Sequence, residues 1–226
     1  MLRVWFGLIV FFVSCKENSN STLIPKTKPD IHIPNDSVHT YTQVKSEIKG
    51  WVKLDSTKYS LDIKYATPDN FTQKVIYDCS ACYVRDTLGV ILNQINNELS
   101  KKYNYKLKLF DCYRPAPAQK KLWDIVPNPL YVTNPSKGSM HNRGMAIDVT
   151  IVDQFGKELN MGTRFDYFGK KAHIDFIFED SQINNNRTLL KTTMEKYGLK
   201  GIRTEWWHYS LRTPLYPIAN WEWECP

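Results

Sequence analysis

SMHNRGMAIDVTIV, residues 139–152, changes character halfway along its length. From Met145 onward the apolar Met145, Ile147, Val149 and Ile151 alternate with Ala146, Asp148 and Thr150. That period of two marks a β-strand with one face turned to a core. Asp148 then points from the other, open face, where a carboxylate between small neighbours suits a ligand or a catalytic group. Gly144 lets the chain turn from a loop carrying His141 into this strand, and a separation of seven residues allows His141 and Asp148 to converge on one ion. A second segment, Glu205-Trp206-Trp207-His208, supplies a further imidazole and a further carboxylate. Residues three apart on a flat strand face opposite sides, so a bend is expected that brings Glu205 and His208 together, with Trp206 and Trp207 packed on either side. Two imidazoles and a carboxylate hold one zinc ion with a position left open for water, and a nearby carboxylate that is not a ligand takes that water's proton. The pattern predicts a hydrolase. His32, His39 and His173 read as surface or structural histidines.

The rest of the chain alternates apolar and polar residues from about Trp51 to the end, the pattern of one folded domain starting near residue 49. Leu88, Ile91, Leu92, Ile95 and Leu99 share a face at helical spacing, with Asp86 or Thr87 available as cap. Residues 105–110 alternate as a strand and deliver Arg114 just beyond its end. Further helices are expected over 117–126, stopped by Pro127, and over 187–197, where Gly198 offers a left-handed cap. Strands mixed with helices in this order give an α+β fold.

The first fifteen residues, MLRVWFGLIVFFVSC, place Arg3 ahead of an apolar run too short to span a bilayer, the form of a secretory signal. Cys15 stands where bacterial lipoprotein signals carry the cysteine that is lipidated, although Phe12 occupies the usual leucine position. Residues 16–48, rich in Ser, Asn, Lys and Pro, have the composition of a solvated tether. These features place the domain in the bacterial cell envelope, on the periplasmic side, with membrane contact only through the lipid on Cys15. Cys79, Cys82, Cys112 and Cys225 remain, and their three possible pairings stay open. Cys79-x-x-Cys82 has neither a second such pair nor a thioredoxin-like βαβ setting, so structural thiols or a disulfide outweigh a redox or zinc-knuckle role. The net charge of +7 is dispersed over many lysines, which points to a solvated surface and away from nucleic acid.

The motif S-x-H-x-x-G-x-A-x-D followed by E-x-W-H resembles the zinc D-alanyl-D-alanine peptidases, among them the vancomycin-resistance dipeptidases, with D,D-carboxypeptidases and the hedgehog signalling domain as distant relatives. Lys64-Tyr65-Ala66-Thr67 with Asn70-Phe71, Asp111-Cys112-Tyr113-Arg114-Pro115, Met161-Gly162-Thr163 with Phe165-Asp166, and Glu205-Trp206-Trp207-His208-Tyr209 match the dipeptidase branch. The resemblance covers residues 50–212. It implies a single domain with a central, mostly antiparallel sheet and flanking helices. It further implies one zinc ion on His141, Asp148 and His208, Glu205 as general base, and Arg114 as the group that meets the oxyanion. Tyr65, Ser139 and Asp166 are the matched substrate-binding positions, Asp166 for the ammonium of a small D,D-dipeptide and Ser139 for its carboxylate.

Many members of that branch carry no export signal, so the leader and Cys15 redirect the expected role from the cytosolic dipeptide pool to wall fragments. A carboxypeptidase or endopeptidase acting on peptidoglycan stems, and a non-catalytic zinc-containing binding module, are the competing readings. The segments YATPDNF and MGTRFD weigh against the former, and the presence of Glu205 with Arg114 against the latter.

Overall fold

The computed structural model describes residues 48–225. The leader with Cys15, the tether up to residue 47, and His32 and His39 lie outside the described residues. Strand β1 (Trp51–Lys53) pairs antiparallel with β3 (Tyr83–Arg85) in a small sheet of two strands. The main sheet has five strands, in the order β2 (Ser60–Leu61), β4 (Lys106–Asp111), β5 (Ala146–Val152), β7 (Glu205–Ser210) and β6 (Lys200–Ile202). Only the β2–β4 pair is parallel, so the α+β fold with a mostly antiparallel sheet is what the chain forms.

Helix α1 (Asp86–Tyr103) lays Leu88, Leu92, Ile95 and Leu99 into one core with Leu107, Leu109, Val149 and Ile151. Asn96 on the same face ties helix to sheet: its Nδ2 donates to the Lys58 carbonyl, and its Oδ1 accepts from the Leu107 amide. The expected cap at Asp86 or Thr87 is corrected, because both lie inside the helix and the N-cap position is Arg85, which makes no side-chain cap. Asn104 closes this helix in the left-handed conformation that short polar side chains tolerate. Helix α2 (Ala116–Ile125) ends ahead of Pro127 as expected.

Helix α3 (Ser181–Lys196) starts six residues before its expected beginning. Asp180 caps it by accepting from the Gln182 amide, and the polar first turns around Asn184 and Asn185 hid it from a reading based on apolar spacing. Its end is as expected: Gly198 has φ of +87°, and the Leu199 amide reaches back to the Met194 carbonyl.

Strand β5 corrects the open face assigned to Asp148, since all seven of its residues are buried. It is the middle strand, flanked by β4 and β7, and both of its faces are covered. The four cysteines pair as Cys79–Cys225 and Cys82–Cys112.

Gly144 ends the 3-10 turn His141–Arg143 with φ of +68°, and a Cβ there would come within 2.2 Å of the Trp51 ring. Gly144→Ala therefore combines a left-handed penalty with overpacking, together about 2–4 kcal/mol. The expected result is an earlier urea-unfolding midpoint of the metal-free protein. A loss below about 0.5 kcal/mol, the range of neutral surface changes, would show that Trp51 yields to the added methyl.

Candidate active site

Strand register sets three side chains in a row. Asp111 at the end of β4 stands opposite Asp148 of β5, and Asp148 stands opposite His208 of β7. Partners across an antiparallel pair share a face, so all three address one side of the sheet. The bend expected between Glu205 and His208 is present as a break in the β6–β7 register, where Gly201 pairs with Tyr209 but Ile202 already pairs with Glu205. Both Glu205 and His208 thereby line the same pocket. Trp206 and Trp207 are buried as expected: Trp206 donates through Nε1 to Thr163 Oγ1 at 2.8 Å, and Trp207 packs edge-on against Phe165.

His141 arrives from its 3-10 turn with Nδ1 2.7 Å from the main-chain carbonyl of Cys112. A carbonyl only accepts, so Nδ1 carries the proton and Nε2 keeps a free lone pair. That Nε2 lies 3.1 Å from His208 Nδ1 and 3.4 Å from Asp148 Oδ1, and His208 Nδ1 lies 3.0 Å from the same carboxylate oxygen. A proton on the His208 nitrogen satisfies one of these contacts at a time, whereas a cation satisfies all three. Donors about 2.0–2.1 Å from a tetrahedral ion stand about 3.3–3.4 Å apart, close to this triangle. His141, Asp148 and His208 are the cluster of metal-ligating groups found among the described residues, and all three are buried. His173 is not part of it; its carbonyl accepts from Arg187.

Asp111 organises the flank of this triangle. It is fully buried, accepts from the Tyr77 hydroxyl at 2.6 Å, and accepts from Arg114 Nε and Nη2 on its other oxygen at 3.0 and 2.7 Å. Arg114 Nη1 donates to Gln119 Oε1, so three of its five N–H groups are engaged, and Arg114 lines the pocket. Burial disfavours the guanidinium charge, but the Asp111 carboxylate together with Tyr65, Tyr77 and Asp148 outweighs this and holds its pKa well above the ordinary value. Asn142 completes the frame by donating to the Arg114 carbonyl and accepting from the Ser139 amide and hydroxyl.

The pocket has a volume of about 450 Å³ and is lined by Tyr65, Arg114, Ser139, Asp148, Asp166 and Glu205, among others. Every site residue expected from the sequence thus meets in one cavity. Asp166 sits at φ of +58°, accepts from the Tyr65 hydroxyl at 3.3 Å, and keeps Oδ2 buried without a hydrogen-bond partner among the described residues. Burial, with Asp148 and Glu205 nearby, pushes its carboxyl pKa well up. Ser139 is less free than expected, because its hydroxyl already donates to Asn142 and has to rotate to serve a substrate. Asp111, Gln119, Asn142 and Tyr77 were not anticipated as site residues. The available signal was the position of Asp111, three residues before Arg114 at the same strand end.

A family model described as D-ala-D-ala dipeptidase, within the M15 peptidases, matches residues 51–223. A D-alanyl-D-alanine dipeptidase of Escherichia coli is 35% identical over 167 residues, covering 73% of this chain and 86% of the relative. Proteins of the same name from Enterococcus faecium and Enterococcus faecalis are 32% and 28% identical, covering 76% and 74% of this chain and 96% and 94% of their own lengths.

Burial raises the Glu205 carboxyl from 4.5 to about 7, with His208 opposing and Asp148 adding to the rise. A folded value above the unfolded one favours the protonated group in the fold. Its contribution to the stability of the metal-free protein is therefore complete below about pH 4.5 and lost as pH rises to about 7; Asp166 acts in the same direction. Thermal midpoints of metal-free protein are expected to fall across this window, and to fall less steeply in Glu205→Gln. Equal slopes in the two proteins would refute the assignment.

Proposed function

The chain belongs to the D-alanyl-D-alanine dipeptidase family of metallopeptidases, and from that premise we propose that it uses one zinc ion to hydrolyse the D-Ala-D-Ala dipeptide to free D-alanine in the cell envelope. The observation that carries the reading is the convergence of His141, Asp148 and His208 beside Glu205 in one pocket. When bound there, zinc supplies Lewis acidity for the scissile carbonyl and acidifies water.

The protein's own groups do the rest. Glu205 takes a proton from the attacking water and returns it to the leaving amine, and a value near neutrality suits both transfers. Arg114, fixed by Asp111, turns its remaining N–H groups to the oxygen on which negative charge grows. The unpartnered Oδ2 of Asp166 accepts from the dipeptide's ammonium, while Tyr65 holds the other oxygen in place. Ser139 meets the carboxylate end after releasing Asn142. Trp207, packed edge-on against Phe165, contributes an apolar surface to the cavity lining.

Lipidation of Cys15, a tether over residues 16–48 and a catalytic domain from residue 49 complete the proposal. The two disulfides support an oxidising compartment such as the periplasm. An enzyme held there acts on wall-derived dipeptide and leaves the cytosolic pool alone.

Purified zinc-loaded protein is expected to release D-alanine from D-Ala-D-Ala and to cleave a pentapeptide stem far more slowly. Chelation abolishes both activities. Glu205→Ala should abolish turnover while the protein still binds one zinc per chain, and Arg114→Ala should lower kcat about a hundredfold or more. Turnover that survives chelation, or a preference for the stem, would overturn the reading. Asp166→Ala should raise KM for the dipeptide, and an unchanged KM removes Asp166 from the ammonium site.

A further inference from the structure

We propose that residues 211–225 are a positioning strap for the active site, kept in place by the Cys79–Cys225 disulfide. The activity it modulates is the one proposed above. The strap touches the catalytic frame at five points. Leu215 lines the pocket beside Ser139 and Arg143. Arg143 Nη1 donates to the Tyr216 carbonyl at 2.7 Å, and the Ala219 amide donates to the Asn142 carbonyl at 2.8 Å, so the turn that carries His141 is pinned from outside. Trp221 stacks on Tyr113 with ring centroids 4.6 Å apart, and the Tyr113 hydroxyl bonds both the carbonyl and the amide of Trp221. Tyr113 immediately precedes Arg114. Trp223 packs edge-on against Tyr77, whose hydroxyl holds Asp111, the partner of Arg114.

These contacts reach the metal-ligating turn and the arginine, yet the strap itself has no regular secondary structure to hold it. The Trp221 indole N–H is buried without a hydrogen-bond partner among the described residues, so that ring acts by stacking. The only covalent hold on its far end, among the described residues, is the bond from Cys225 to Cys79. Cys225 is exposed, whereas Cys82 and Cys112 are 0% and 1% exposed. A dithiol such as dithiothreitol therefore opens Cys79–Cys225 first: two electrons and two protons pass to the protein, giving two thiols, and the dithiol closes to its own disulfide.

The test uses the folded full-length protein in three forms: oxidised, mildly reduced, and the Cys79→Ser/Cys225→Ser double variant. With the bond open, kcat for D-Ala-D-Ala is expected to fall at least tenfold with KM changed less than threefold, because Arg114 serves the transition state. Zinc affinity in a chelator competition should weaken at least tenfold, and trypsin should cut after the exposed Arg212 at least tenfold faster, with far-UV circular dichroism unchanged. Trp221→Ala should reproduce the loss and Trp221→Phe should restore it. Unchanged kcat and zinc affinity after the bond is opened would overturn the proposal, whether or not trypsin releases the strap. Should the oxidised protein leave D-Ala-D-Ala intact, the dipeptidase reading fails, while zinc affinity and the Arg212 cut still judge the strap.

Discussion

Charge balance in a buried pocket governs this structure. Four carboxyl groups, Asp111, Asp148, Asp166 and Glu205, cluster around one guanidinium, that of Arg114. Arg114 and Tyr77 satisfy Asp111. Asp148 stays ionised against burial because His141 and His208 face it, which draws its pKa far below the usual carboxylate range. For Glu205 and Asp166 burial, with Asp148 adding to it, outweighs the pull of Arg114 on both and of His208 on Glu205, and both are driven up. A buried acid without a partner is costly, so a cavity built this way favours ligands that bring positive charge. A divalent cation on the His141–Asp148–His208 triangle and the ammonium of a dipeptide at Asp166 are two such ligands in one pocket.

That clustering depends on register. A slip of one residue between β5 and β7 would turn His208 to the opposite face from Asp148, and the same slip between β4 and β5 would turn Asp111 to the opposite face from Asp148. The apolar Met145, Ile147, Val149 and Ile151 lock the register, because an odd shift would put Asp148 and Thr150 into the core that these residues fill. Core packing and the catalytic geometry are thus one constraint. Where the geometry needs residues three apart on one side, the chain abandons regular pairing, as at Ile202–Glu205.

The sequence was most readable where chemistry coincided with period. Asp148 interrupts an apolar alternation, and His141 and Glu205–His208 carry metal and proton chemistry at short spacings, so the site could be assembled from two segments. What stayed hidden acts through contacts far apart in the chain. Tyr77 reaches Asp111 across 34 residues, and Tyr113 reaches Trp221 across 108, with nothing local to announce either. The covered outer face of β5 escaped for the same reason: alternation tells which residues share a face but not what the rest of the fold lays over it. The early start of α3 was missed because its polar first turns are held by the Asp180 cap and by Asn186 bonding the Asn160 carbonyl.

Cysteine usage shows how such long-range order is secured. Cys79 and Cys82 have two residues between them, the spacing of a redox pair, yet they diverge: one bonds Cys225 at the end of the strap and the other bonds Cys112 in the Asp111–Arg114 segment. One short stretch of chain therefore ties down both the arginine that faces the substrate and the strap that covers its backbone. The carbonyl of Cys112 also sets the tautomer of His141. A thioredoxin-like role needs the two sulfurs to face each other, and here each is committed elsewhere. The exposed bond restrains the periphery and the buried one restrains the catalytic segment, so their loss should differ in kind: the first loosens a site that persists, the second removes a cross-link from the core itself.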